Sequence, residues 1–131
     1  MKSFIIATFI LTMAVLSGFA KTDGDKKLNR DEAVVQFTET VKLWNVFLKG
    51  EYLFVHDESK MADGLPCLYI YTLKDGQADK LVTSLHCVRV ERDKAQGFMV
   101  NISKMRSPYD VREITEIQFA GRTESHKVPI N

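Results

Sequence analysis

The segment Pro66–Glu91, PCLYIYTLKDGQADKLVTSLHCVRVE, restricts the possible folds more than any other part of the chain. It carries both cysteines and two of the four tyrosines. Leu68-Tyr69-Ile70-Tyr71-Thr72 and, at the far end, Val88-Arg89-Val90 are rich in β-branched and aromatic residues, the composition of strands. Asp75-Gly76 lies between them in a polar run that reads as a turn. A two-residue turn there sets Lys74 opposite Gln77 and Cys67 opposite Ser84. A longer loop centred on Gln77 instead pairs Leu73 with Leu81, Tyr71 with Thr83, Tyr69 with Leu85 and Cys67 with Cys87. Side chains alternate with period two, so only the second register sets the cysteines opposite each other, on a face shared with Tyr69, Tyr71, Leu73, Leu81 and Leu85. We expect that longer loop and a Cys67–Cys87 disulfide, which would close about 20 residues and stabilise the fold by about 3 kcal/mol. A partner elsewhere for each cysteine is the other reading.

The first twenty residues read as a secretory signal peptide. Lys2 makes a basic start, Phe4 to Leu16 is an almost unbroken apolar run, and Gly18-Phe19-Ala20 supplies small residues before a cut after Ala20. The apolar run is shorter than the roughly 20 residues of a membrane span. Residues 21–131 then form one domain, expected outside the cell, where two cysteines are most simply one disulfide. Without Lys2, the 18 basic residues become 17 and balance the 17 acidic ones. A neutral balance offers no electrostatic case for nucleic acid or an anionic membrane.

Lys21 to Lys27 reads as a polar arm. Asn29 with Glu32 has capping-box spacing, and Val34, Phe37, Val41, Trp44 and Leu48 recur at steps of three and four. This predicts an amphipathic helix over residues 30–49, ended by Lys49-Gly50. Antiparallel strands are expected over about 51–130. Glu51 to His56 has Tyr52, Phe54 and His56 on one side, and residues 57–65 make a loop. Glu91 to Gln96 is a charged turn before a strand over Phe98 to Ser103. Asn101-Ile102-Ser103 is a glycosylation acceptor, which requires Asn101 to face solvent and sends Phe98, Val100 and Ile102 inward. After a turn at Ser107 to Asp110, Val111 to Phe119 is a strand with Val111, Thr115, Ile117 and Phe119 inward. Ser125 to Ile130 is a short edge strand, where Pro129 is tolerable.

No residue set identifies a reaction, so the expectation is a protein that is not an enzyme, with no cofactor. His56, His86 and His126 stand at no recognisable metal-ligand spacing, so no metal is expected. His86 and Cys87 are strand neighbours and point to opposite faces. Tyr52, Phe54, Tyr69, Tyr71, Phe98 and Phe119 fall in strands, most on faces assigned inward. They make either an ordinary core or the wall of a small-molecule pocket, where a buried phenol finds a partner in the ligand. Tyr52, Phe54, Tyr69, Tyr71 and Phe98 are the candidate ligand-binding residues.

A signal peptide, a Trp-bearing helix, the strand Glu51-Tyr52-Leu53-Phe54-Val55 and the strand Cys87-Val88-Arg89-Val90 resemble the front half of the tick salivary lipocalins of the histamine-binding type. Ile114 to Gly121 is similar to a further strand of that family, so the resemblance runs from about Arg30 to Gly121. It implies an antiparallel barrel, left incomplete by a chain lacking the family's last strands, C-terminal helix and later cysteines. Either Cys67 or Cys87 fits the family's early cysteine position. The implied function is that of a secreted, monomeric protein sequestering a small amphiphile such as histamine, serotonin or a lipid mediator. The alternative is a cystatin-like α+β domain, one helix across an open antiparallel sheet, acting as a protein-interaction module or protease inhibitor. The glutamine–valine–glycine loop of such inhibitors is absent.

Overall fold

The computed structural model describes residues 30–103 and 110–129. The signal segment, the arm at residues 21–27, the Asn29 cap and most of the turn at 107–110 lie outside them. The described chain is mainly β. Its order is β1 (Arg30–Leu43), β2 (Val46–Asp57), a short helix α1 (Glu58–Ala62), β3 (Leu68–Lys74), β4 (Gln77–Leu85), β5 (Val88–Glu91), β6 (Met99–Ile102), β7 (Arg112–Gln118) and β8 (Glu124–Lys127).

The helix expected over residues 30–49 is instead a β-hairpin. Of the five positions on the helical stripe, Val34 is 56% exposed and Trp44 sits in the turn. The operative period is two. Asp31, Ala33, Val35 and Phe37 turn inward while Glu32, Val34, Gln36 and Thr38 face out. Val34, Val35, Thr38, Thr40 and Val41 are β-branched and favour the pleated conformation. The chain reverses at Trp44-Asn45, between the paired Leu43 and Val46, and Trp44 takes the positive φ of 53° that primed hairpin turns need at their first loop position. Gly50, with φ of 97°, faces Phe37 where the register shifts before Val41, a conformation that side chains rarely tolerate. With residues 30–49 extended, the cystatin-like arrangement lacks its helix: among the described residues no helix lies across the sheet.

The β3–β4 turn is the tight one. Asp75 and Gly76 both have positive φ, 53° and 77°, and Lys74 pairs with Gln77, so the expected longer loop around Gln77 is corrected. Register shifts beside Tyr71 then carry the ladder to Ile70 opposite Thr83 and Leu68 opposite Leu85. Cys67 and Cys87 are nonetheless bonded, just beyond the last paired residues, with Cα atoms 6.8 Å apart. The turn follows local Asp-Gly chemistry, and bulges supply the offset that the cysteines need. They also change the face: Leu68 and Ile70, both 0% exposed, meet the core, whereas Tyr69 and Tyr71 lie half-buried on the opposite side.

The sheet path runs β4-β3-β2-β1-β7-β8-β5, with β6 pairing β7. Its two ends, β4 and β5, are consecutive in the chain, joined through His86-Cys87, so the sheet curls into a half-barrel. The pairs are antiparallel except β1–β7, which is parallel through Val41 with Arg112 and Lys42 with Glu113. The segment expected as an edge strand at 125–130 is an interior one: β8 is flanked by β7 and β5, and Pro129 falls beyond it. In β7, Val111 precedes the strand and is 42% exposed, while Ile114 and Ile117 are fully buried. Asn101 faces solvent as its sequon requires; Phe98 and Val100 pack on the core, but Ile102 is 38% exposed.

The concave side is filled. Phe37, Val41, Leu43, Leu48, Phe54, Leu68, Ile70, Leu85, Ile114, Ile117 and Phe119 form one apolar cluster with both cysteines and Val128. Through it runs a column of rings: Tyr52 to Phe37 at 6.4 Å, Phe37 to Phe54 at 6.1 Å, Phe54 to Phe98 at 5.8 Å, and Phe98 to Phe119 at 4.9 Å. Tilted and edge-on rings at such separations add attraction beyond area burial. Phe54, with no exposed surface, should cost about 3–5 kcal/mol when truncated to alanine, measured by urea unfolding. Replacing both cysteines by serine should cost about 3 kcal/mol, since the bond spans 20 residues. Peptide mapping without reduction should return Cys67 linked to Cys87, and free thiols there would contradict the fold.

Candidate functional site

The ring column ends at two histidines. His56 comes from β2, opposite Asp31 of β1 and Leu68 of β3, and His126 comes from β8, opposite Ile117 of β7 and Arg89 of β5. The two halves of the sheet thus bring the imidazoles face to face, their centroids 4.0 Å apart, with Phe119 6.1 Å from His56. They are 2% and 3% exposed. Among their four ring nitrogens, both of His56 and the Nδ1 of His126 are buried without a hydrogen-bond partner. A carboxylate stands behind each ring: Asp31 Oδ2 is 3.9 Å from His56 Nδ1, and Glu124 Oε1 is 3.4 Å from His126 Nε2.

Burial holds both imidazoles neutral. It lowers the pKa of His56 against the opposing pull of Asp31 and Glu58, and it lowers that of His126 to about 4, with His56 adding to the effect. Burial also raises the Glu124 carboxyl. Arg122 Nε bonds Asp31 at 3.1 Å, and Arg89 bridges Glu124, at 2.9 Å, and Glu58 at the start of α1. Cys87 is the third member of the cluster. One ligand-capable atom from each of His56, His126 and Cys87 lies within 4.8 Å of the others. The donors belong to β2, the β4–β5 link and β8, so no local spacing announces them.

On the outer face of β7 and β8 a second polar cluster is fully satisfied. Arg92 clasps Glu116 through two bonds of 2.9 and 3.0 Å, and the Ser125 hydroxyl donates to Glu116 at 2.6 Å. Gln118 donates from Nε2 to the carbonyls of Asp93 and Arg122, both at 2.8 Å. These bonds fasten the 91–97 loop over the strands, and the arrangement is a structural clamp.

Of the residues expected to line a ligand pocket, Tyr52, Phe54 and Phe98 belong to the ring column, and the Tyr52 hydroxyl donates to the Lys49 carbonyl at 3.0 Å. Tyr69 and Tyr71 are on the other face, and Tyr69 has the Lys60 ammonium 5.8 Å above its ring. The structure therefore does not bring the five together. Two open grooves lie elsewhere. One, of about 400 Å³, is lined by Arg30, Glu32, Ala33, Val34, Leu53, Gly76, Gln77 and Ala78. The other, of about 510 Å³, is lined by Glu58, Met61, Ala62 and Arg89.

The clamp carries a pH signature. Arg92 first, with Ser125, holds the Glu116 carboxyl down from 4.5 to about 2. The folded state then binds fewer protons than the unfolded one, so this stabilisation is complete above pH 4.5 and is lost as pH falls toward about 2. Arg92 is itself 45% exposed, so solvent screening limits the contribution to the order of 1–2 kcal/mol. Glu116→Gln should lose that amount at neutral pH and converge on the parent near the acid end, read by urea unfolding across the range. A difference independent of pH would refute the assignment. Comparison of the chain with protein-family models, curated proteins and solved structures returned no match.

Proposed function

We propose that the protein is a secreted, non-enzymatic binding protein that takes up a small amphiphile, of the class of biogenic amines such as histamine or serotonin or of lipid mediators. The observation that carries the reading is the groove against the β1–β2 hairpin. Its floor is apolar, from Ala33, Val34, Leu53 and Ala78, and its rim holds Arg30 and Glu32, ion-paired at 2.9 Å. About 400 Å³ is within the size range of small-molecule sites, here as an open groove of mixed polar and apolar lining. A cationic head would displace Arg30 from Glu32, and an anionic head the reverse. The ligand residues are therefore those of this groove, in place of the aromatic set read from the sequence.

The disulfide and the exposed Asn101 fit an exported glycoprotein, and treatment of the secreted protein with an N-glycosidase would test the glycan. The inhibitor reading loses its scaffold with the helix at 30–49.

Titration calorimetry with histamine, serotonin and an eicosanoid tests the proposal. One of them should bind with micromolar affinity, and Leu53→Arg should weaken it at least tenfold, about 1.4 kcal/mol. No heat with any of the three, or binding indifferent to Leu53→Arg and to Val34→Glu, would reject the groove as the site.

A further inference from the structure

We propose that His56 and His126 are the paired ligands of a transition-metal site for a borderline ion such as Zn²⁺, completed by Cys87 when the Cys67–Cys87 bond is reduced. Geometry carries the assignment. The imidazoles project from opposite halves of the sheet to one point, 4.0 Å between centroids. Three of their nitrogens are buried without a partner. A neutral imidazole carries one N–H and one lone pair, and leaving either unpaired in an apolar interior is costly, so a cation that accepts the lone pairs relieves the cost.

A carboxylate stands near each ring, the closer one at His126. Ligating histidines characteristically donate their other ring N–H to a carboxylate or carbonyl, which fixes the tautomer. Glu124 stands by His126 Nε2 at 3.4 Å, which leaves Nδ1 for the ion, while Asp31 lies 3.9 Å from His56 Nδ1, beyond hydrogen-bond distance, so either His56 nitrogen is open to the ion. Donor atoms within 4.8 Å of one another need only small rotamer adjustments to converge on an ion at about 2.0–2.1 Å from nitrogen and about 2.3 Å from sulfur. Arg89 pairs with His126 across β5–β8, bonds Glu124 and Glu58, and borders the 510 Å³ groove beside α1.

The disulfide sets the ligand count. With Cys87 bonded to Cys67, the two imidazoles are the cluster's only free ligands. A dithiol reductant delivers two electrons and two protons to the sulfur–sulfur bond, becomes a disulfide itself and leaves two thiols. Cys87 then loses its proton to solvent as its sulfur joins the ion, giving a His₂Cys set with one open position, the pattern of several zinc sites.

Titration of the full secreted chain with Zn²⁺, and with Co²⁺ as a coloured stand-in, separates the outcomes. One Zn²⁺ per chain should bind the oxidised protein, tightening at least tenfold after reduction. Reduction should also bring a thiolate-to-cobalt charge-transfer band that Cys87→Ser abolishes. In the same titration, ring ¹⁵N resonances of His56 and His126 should shift and those of the exposed His86 should not. His126→Phe keeps a ring against His56 without a donor and should lose binding with its melting curve intact. The ring resonances of the unmodified protein decide the matter if that variant fails to fold. Absence of binding at micromolar Zn²⁺, or binding that moves only His86, overturns the proposal.

Discussion

The two halves of this half-barrel are joined by very little backbone. Among the described residues, the hydrogen-bonded seam between β1 and β7 pairs only Val41 with Arg112 and Lys42 with Glu113. A ladder that short does not hold two sheets in register, so their relative position falls to the shared core and to covalent continuity. The core spans the seam: Phe37, Phe54 and Ile70 on one half meet Ile114, Ile117 and Phe119 on the other. Continuity is supplied at the far side, where β4 passes into β5 through His86 and Cys87, and the bond to Cys67 ties that corner to the start of β3. The bond works where the sheet has no hydrogen-bonded closure. That explains why two register shifts are tolerated between β3 and β4 to bring the cysteines together.

Two buried polar clusters among the described residues differ in how they are satisfied. Glu116 is 7% exposed, yet its carboxylate accepts from Arg92 and Ser125, so its desolvation is compensated by charge-assisted bonds. The histidine pair is as deeply buried and keeps three nitrogens unpartnered in an apolar, aromatic setting. In a small domain whose margin of stability is a few kcal/mol, an uncompensated pair of this kind is a notable concession. Phenylalanine at either position would continue the ring column without it. That contrast marks His56 and His126 as the residues whose identity packing does not explain.

Strand content from Tyr52 onward was legible because alternation and β-branched residues agreed with each other at β2, β3 and β7. The cysteine pairing was legible because only two partners existed. Residues 30–49 misled because their apolar positions satisfy two periods at once: steps of three and four from Val34, and steps of two from Ala33. The competing signal was present in the run of valines and threonines, and tertiary pairing with β2 decided it. The facing of Tyr69 and Tyr71 was lost with the register, since a bulge moves every later side chain and no composition rule places bulges. The histidine cluster was illegible in principle. Its members lie in separate strands, and only the curl of the sheet makes them neighbours.

The same curl bears on where a ligand can sit. In a full-sized ligand-carrying barrel the interior is wide enough to leave a cavity, but small or incomplete barrels are filled by their own side chains. Here Phe37, Phe54, Phe98 and Phe119 occupy the concave side in mutual contact, with Phe54 completely enclosed. Opening a ligand-sized space there would cost several of the contacts that join the halves. The convex face carries no such burden. Val34, Leu53 and the tip of the β3–β4 hairpin lie on that face, away from the ring column, and of the groove's strand residues only Ala33 turns inward. Packed core and exposed groove thus lie largely on opposite sides of the same sheet.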